Sequence, residues 1–127
     1  MADEVIRWAT PALYFRRTAT RDHDMHGKTI REGDKVLFWW ASANRDDRVF
    51  DDPFRVNLTR SPNRHMSFGQ CGPHVCLGMH LARLEVRILF EELAKRAKLV
   101  EPKGDQKFQH SNFVGGIKEL PVRMQDL

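Results

Sequence analysis

The stretch Phe68-Gly69-Gln70-Cys71-Gly72-Pro73-His74-Val75-Cys76-Leu77-Gly78 decides how this chain is read. Its three glycines and one proline are loop chemistry, because glycine adopts positive φ and lets the backbone pass close to a flat ligand. Cys76 stands at the expected start of a helix, where unpaired N–H groups and the positive end of the helix dipole favour thiolate over thiol. Three chemistries fit these residue types. Cys71, His74, Cys76 and His80, with His65 as a substitute, offer thiolate and imidazole to zinc, although they crowd into ten residues. Cys76 is also a candidate nucleophile with His74 as its base. Finally, Cys76 suits the axial position of a haem, with glycines admitting the porphyrin and His74 bonding a propionate. The residues favour the third by a small margin and leave all three open.

Working outward, residues 77 to 99 carry the clearest helical pattern. Leu77, Leu81, Leu84, Ile88 and Leu93 recur near helical spacing, and Glu91 to Lys95 and Glu92 to Arg96 add i,i+4 pairs. Val86, Leu89 and Phe90 widen the apolar face beyond one stripe, which implies a larger neighbour. The tail reads as a hairpin, Lys107 to Phe113 and Ile117 to Val122 about a Val114-Gly115-Gly116 turn. Upstream of the loop, residues 47 to 67 form an irregular crossing marked by Asp51-Asp52-Pro53 and Ser61-Pro62-Asn63. So long a connection needs something to pack against. Before it, Arg17 to Asp22, Lys28 to Ile30 and Lys35 to Trp40 predict a small antiparallel sheet, and Ala41 to Asp46 a helical turn. Residues 3 to 9 predict a short helix ending before Thr10-Pro11, with Glu4 and Arg7 on one face; spacing alone makes them a solvated pair.

The 127 residues, 41% of them hydrophobic, suit one small domain of mixed helix and strand, and nothing suggests two. The net charge of +4 fits an acidic partner or anionic cofactor, and no nucleic-acid motif accompanies it. Two cysteines are too few for a disulfide framework and point to a reducing compartment. No signal peptide or membrane span is recognisable, so a soluble, cytoplasmic protein is expected.

The loop resembles the haem-binding loop of the cytochrome P450 superfamily, whose pattern Phe-Gly-x-Gly-x-His-x-Cys-x-Gly appears here with one extra residue. It is closest to a longer bacterial version in which Gln70 and Cys71 occupy glycine positions. Other motifs follow in the right order. Glu4-Val5-Ile6-Arg7 resembles the family's Glu-x-x-Arg helix, which turns the surface pair into a structural one. Arg17-Thr18-Ala19-Thr20-Arg21-Asp22 resembles the strand whose arginine bonds a propionate. Ala43-Asn44-Arg45-Asp46, Phe50-Asp51-Asp52-Pro53, Asn63 to Gly69, Ala82-Arg83-Leu84-Glu85 and Ser111-Asn112-Phe113 are similar to segments flanking these.

This resemblance implies the proximal, C-terminal part of the P450 fold, mostly α with small β-sheets (α+β), over residues 1–127. The oxygen-activating helix is expected upstream of Glu4; Gly115-Gly116-Ile117-Lys118-Glu119-Leu120 imitates its motif but has Leu120 where threonine is required. It further implies monooxygenation of a hydrophobic substrate of the sterol, terpene or fatty-acid kind, with electrons from a ferredoxin-type donor and its reductase. The cofactor would be haem b, iron protoporphyrin IX, with Cys76 as iron ligand. Arg17 and His74 would bind propionates, with Arg16 a weaker candidate, and Phe68 and Gly78 would belong to the haem-binding loop. Glu4, Arg7 and Arg55 would be structural, with Arg60 and Arg64 as alternatives to Arg55. Ala12 to Phe15 and Phe113 to Gly116 would border the substrate, and Arg83 and Arg87 would face the donor. No catalytic residue is expected within the chain, which implies no activity unaided. Beside this reading stand a non-catalytic remnant and a zinc-binding Cys/His loop protein.

Overall fold

The computed structural model describes residues 1–70 and 72–127. Expectations that fall on Cys71, as a zinc ligand or as a thiol beside Cys76, lie outside the described residues.

Helix α1 spans Ala2–Ala9, with Asp3 and Glu4 in its first turn and Arg7 in its last, each charge complementing the helix dipole. It stops at Thr10, a β-branched residue at φ 40°, a costly conformation that its surroundings enforce. The Thr10 hydroxyl donates to the Arg7 carbonyl at 2.6 Å and accepts from the Asn44 amide at 2.9 Å.

Around α1 the interior is polar. Among the described residues, Ile6, Phe50 and Pro53 are buried apolar side chains, whereas Glu4, Arg7, Thr10, Asn44 and His65 are buried polar ones. Arg7 grips Glu4 through Nε and Nη2, both at 2.8 Å, and donates its remaining N–H groups to the carbonyls of Asn44, Pro53 and Arg55. All five guanidinium donors are therefore satisfied. The Glu4 carboxylate also receives the Asn57 N–H at 2.8 Å, the Asn63 amide at 2.9 Å and Arg60 Nε at 3.2 Å. Phe50 lies under both guanidinium groups, 5.2 Å from Arg7 and 5.8 Å from Arg60.

This network is what the irregular crossing packs against. Arg60, not Arg55, supplies the third guanidinium, and it also binds the carbonyls of Asp51, Asp52 and Arg55. Arg55 contributes only its backbone oxygen, and its side chain is exposed. In a segment without repeating geometry, sequence spacing does not tell which arginine turns inward.

The strands form separate pairs. Strand β1 (Tyr14–Thr18) runs antiparallel to β4 (Lys35–Trp39), and β2 (His23–Met25) pairs with β3 (Lys28–Ile30), so the predicted single sheet is two. Helix α2 (Trp40–Ala43) follows β4 directly. Helix α3 spans Met79–Arg96, shorter than predicted at both ends. Gly78 caps its start, and at its end Ala97 turns extended to open β5 (Ala97–Pro102). The tail departs from the predicted hairpin. Short β6 (Lys107–Phe108) and β7 (Ile117–Glu119) do pair, but β8 (Val122–Asp126) crosses to β5. Partners 20 residues or more apart leave no local signal of this kind.

On α3, Glu92 holds both Lys95 and Arg96, at 2.9 and 2.8 Å, while Glu91 faces Arg87 at 3.6 Å rather than the predicted Lys95. No described residue of α3 is fully buried. Leu81, Leu84, Ile88 and Leu89 remain exposed, in keeping with the breadth of the apolar face.

Two outcomes follow from the Glu4 network. Arg60→Ala should destabilise the protein by about 3 kcal/mol, because it removes a buried charge partner, whereas Arg55→Ala should stay within about 0.5 kcal/mol in denaturant titrations at neutral pH. Burial pushes the Glu4 pKa up, but hydrogen bonds from Arg7, Asn57 and Arg60 outweigh it and hold the group at about 2 against an ordinary 4.5. Glu4 therefore binds its proton more readily when unfolded. Its contribution, on the order of 3 kcal/mol, is complete above pH 4.5 and is lost as pH falls toward about 2. Stability measured across that window should fall in the native sequence and flatten in Glu4→Gln.

Candidate functional site

The loop from Met66 to Gly78 is anchored on the polar core. Asn44 donates to the Ser67 hydroxyl at 2.8 Å and accepts the Met66 N–H at 2.6 Å, and the Ser67 hydroxyl donates to the Ile6 carbonyl at 3.1 Å. Gly69 then turns at φ 71°, its N–H bonding the Met66 carbonyl at 2.8 Å. Gly72, at φ 84°, makes a second turn that L side chains avoid. The Cys76 N–H returns to the Phe68 carbonyl at 2.9 Å and closes the loop.

Cys76 therefore does not begin the helix. Its carbonyl accepts the Met79 N–H at 3.3 Å, and α3 starts three residues later. The thiol is exposed, and so is the His74 imidazole.

Strand β1 supplies the opposite wall. Phe15 and Arg17 lie two apart and share one face of the strand, as the pleat requires. With Trp40, Phe68, His74 and Cys76 they line one open cleft of about 360 Å³, to which Gly69 and Gln70 also contribute. The sequence-derived residues Arg17, Phe68, His74 and Cys76 are thus brought together. Gly78 is not among the lining residues, and its place is the cap of α3. Arg17 donates to the Arg16 carbonyl at 3.0 Å and meets no carboxylate among the described residues. Arg16, one residue along the strand, alternates to the other face.

A second network braces the loop from behind. Asp3 Oδ1 receives Arg83 Nε at 2.6 Å and His65 Nε2 at 3.1 Å. His65 Nδ1 accepts the Ser67 N–H at 3.3 Å, so its proton sits on Nε2 and points at Asp3. Burial alone would raise the Asp3 pKa, but the hydrogen bonds from Arg83 and His65 bring it below the ordinary value. The Arg83 guanidinium lies 5.0 Å over the Phe68 ring, and the His65 ring stands 5.5 Å from it. Arg83, expected on a partner-facing patch, is engaged internally, whereas Arg87 is exposed.

Beyond the cleft, Leu13 N–H bonds the Phe113 carbonyl at 3.0 Å and Gly115 N–H the Pro11 carbonyl at 2.8 Å. Phe113 meets Tyr14 and Phe15 edge-on at 5.8 and 5.4 Å, which joins the two segments expected to border a substrate. A Cβ at position 115 would come within 3.2 Å of Leu13 Cδ2, so a side chain there would require Leu13 to shift by a few tenths of an ångström.

Among the described residues no three His, Cys, Asp or Glu side chains are grouped as a metal site, and no hydrogen bond joins His74 to Cys76. Zinc would have to rest on Cys71. Sequence reasoning missed the roles of Asn44, Asn63 and His65, although all three lie within motifs that were legible. Trp40 had no signal beyond its place after a strand.

A sequence model of the family described as Cytochrome P450 matches residues 1–124. The chain is 46% identical over 123 residues to "Cytochrome P450-terp" of a Pseudomonas species, covering 97% of this chain and 28% of that protein. It is 45% identical over 120 residues to a "Methyl-branched lipid omega-hydroxylase" of Mycobacterium bovis, covering 94% and 28%. The crystal structure of P450 OxyD, involved in the biosynthesis of vancomycin-type antibiotics, superposes with a TM-score of 0.92 at 38% identity, covering 99% of this chain and 32% of that one. The chain thus spans about 28% of the length of these curated relatives.

Releasing the brace should loosen the loop. Arg83→Leu is expected to speed hydrogen exchange at the Cys76 amide about fivefold, the worth of one exposed ion pair and one cation–π contact, and to leave the Thr10 amide unchanged.

Proposed function

The chain belongs to the cytochrome P450 family and has a partial P450 fold; from that premise we propose that it is the haem-thiolate part of a bacterial monooxygenase. In this reading residues 1–127 are one partial domain, cytoplasmic, that does not catalyse unaided. The substrate is hydrophobic, of the sterol, terpene or fatty-acid kind, in keeping with a relative named as a lipid hydroxylase. Electrons come from a ferredoxin-type donor with its reductase, which Arg87, exposed on α3, would help to meet.

One observation carries the proposal: an exposed thiol, two cationic or basic side chains and three aromatic rings converge on a single cleft that no carboxylate lines among the described residues. That donor set fits haem b. Cys76 Sγ would hold the iron as thiolate. Arg17 and His74 would neutralise the two propionates through charge-assisted hydrogen bonds, which Arg17 is free to make because no acid competes for it. Phe68, steadied by Arg83 and His65, would border the flat ring, and the turns at Gly69 and Gly72 would let the backbone pass close to it. The cap at Gly78 starts α3 beyond the ligand and keeps Cys76 in the turn. When bound, the haem supplies an iron centre for oxygen activation, and thiolate ligation favours O–O cleavage.

Reconstitution with haem, reduction and addition of CO tests this directly. A Soret band at the thiolate-typical position is expected, and Cys76→Ala should abolish it. A band that survives Cys76→Ala, or stoichiometric zinc without haem, would overturn the assignment. Arg17→Ala should retain the band but release haem about tenfold faster, as loss of one charge-assisted hydrogen bond predicts.

A further inference from the structure

Behind the cysteine loop stands an imidazole whose two nitrogens are both engaged, although neither the Glu4 network nor the proposed iron and propionate contacts use it. His65 has only 1% of its side chain exposed. Its Nε2 donates to Asp3 Oδ1 at 3.1 Å and its Nδ1 accepts the Ser67 N–H at 3.3 Å. One state satisfies both bonds, the neutral ring with its proton on Nε2.

The two ends of that ring are held differently. Ser67 is fixed independently, because its hydroxyl accepts from the buried Asn44 amide at 2.8 Å and donates to the Ile6 carbonyl at 3.1 Å. Asp3 is 42% exposed, and its Oδ1 is shared with Arg83 Nε at 2.6 Å. The Phe68 ring meets both groups that this oxygen joins: the His65 ring at 5.5 Å, tilted by 59°, and the Arg83 guanidinium at 5.0 Å. Phe68 in turn lines the cleft with Cys76, and its carbonyl accepts the Cys76 N–H at 2.9 Å.

We infer that His65, as the neutral Nε2–H tautomer, is a positioning residue for Phe68 and through it for the wall of the cleft beside Cys76. Its functional meaning rests on the proposed haem binding, in which Phe68 borders the ring. A proton taken from solvent onto Nδ1 would set two donors, Nδ1–H and the Ser67 N–H, against each other where one hydrogen bond now stands. Because Ser67 is pinned, the imidazole has to turn, and Phe68, packed against it, moves with it. Among the described residues the charged groups that face His65 are Asp3 on α1 and, through the same oxygen, Arg83 on α3. His74 also lines the cleft with Phe68 and is left unchanged in the variants below.

The test follows the aromatic proton signals of Phe68 and His65 by NMR from about pH 8 to about pH 5, a window that brackets ordinary imidazole protonation. In the native sequence the Phe68 signals should shift together with those of His65. They should stay still in His65→Gln, which keeps a donor toward Asp3 and cannot titrate. The Thr10 amide, bonded to the Ile6 carbonyl at 3.0 Å, should stay protected throughout and reports that the fold persists. In the haem-loaded chain, transfer of haem to apomyoglobin should be about fivefold faster for His65→Gln than for the native sequence, with the thiolate-CO band unchanged. Phe68 signals that stay still in the native chain, or that move equally in His65→Gln, would overturn the positioning role, and so would equal transfer rates. Absence of a thiolate-CO band in the native protein would overturn the haem reading, and the NMR comparison would still decide what places Phe68. If His65→Gln loses the Thr10 protection, His65→Asn, whose Oδ1 keeps an acceptor toward Ser67, takes its place under the same expectations.

Discussion

A fully buried ion pair, Glu4 with Arg7, governs how the rest of this chain is arranged. Removing two charges from water is expensive, and their attraction compensates only when every remaining donor and lone pair is satisfied. Here that demand is met by backbone. Three carbonyls, from Asn44, Pro53 and Arg55, turn toward Arg7, and the Asn57 N–H turns toward Glu4. A segment with no regular secondary structure is thereby given one conformation. An apolar core would have placed no such constraint on the direction of peptide groups.

The same requirement reaches the cleft through Asn44. Its side chain joins the end of α1, at Thr10, to Met66 and Ser67 at the root of the cysteine loop. The loop then needs only two glycine turns and the Cys76–Phe68 backbone bond to bring the thiol to the face opposite β1. Asp3, on the other side of α1, braces Phe68 through Arg83 and His65. One short helix therefore holds the loop from two directions. This resolves why a helix of eight residues, too short to be stable alone, persists.

Much of this was legible in the residues. Helical spacing located α3 and the break before Thr10-Pro11 located α1, each within a few positions, and the run from Lys35 to Trp40 is β4, whereas the alternation over Arg17 to Asp22 overlaps β1 only at its last two residues. The family resemblance, resting on motifs in order, singled out Arg17, Phe68, His74 and Cys76, which line one cleft. The errors have a common physical origin. The sequence favours Arg55 over Arg60, pairs Lys95 with Glu91 and ends the tail hairpin at Val122, with no strand over Val122–Asp126. In each case several chemically equivalent partners were available, and the choice depended on where an irregular or distant segment lay in space. Spacing ranks partners only inside a repeating structure.

Composition, periodicity and motif order by themselves determined the kinds of element present and most of their order, because these follow from local backbone preference and side-chain type. Only the tertiary structure decided that Glu4 and Arg7 are an interior pair rather than a solvated one, that Arg60 completes it, that Arg83 turns inward to Phe68, and that Trp40 lines the cleft. Those outcomes depend on which groups lose their water, and desolvation is set by neighbours dozens of residues away.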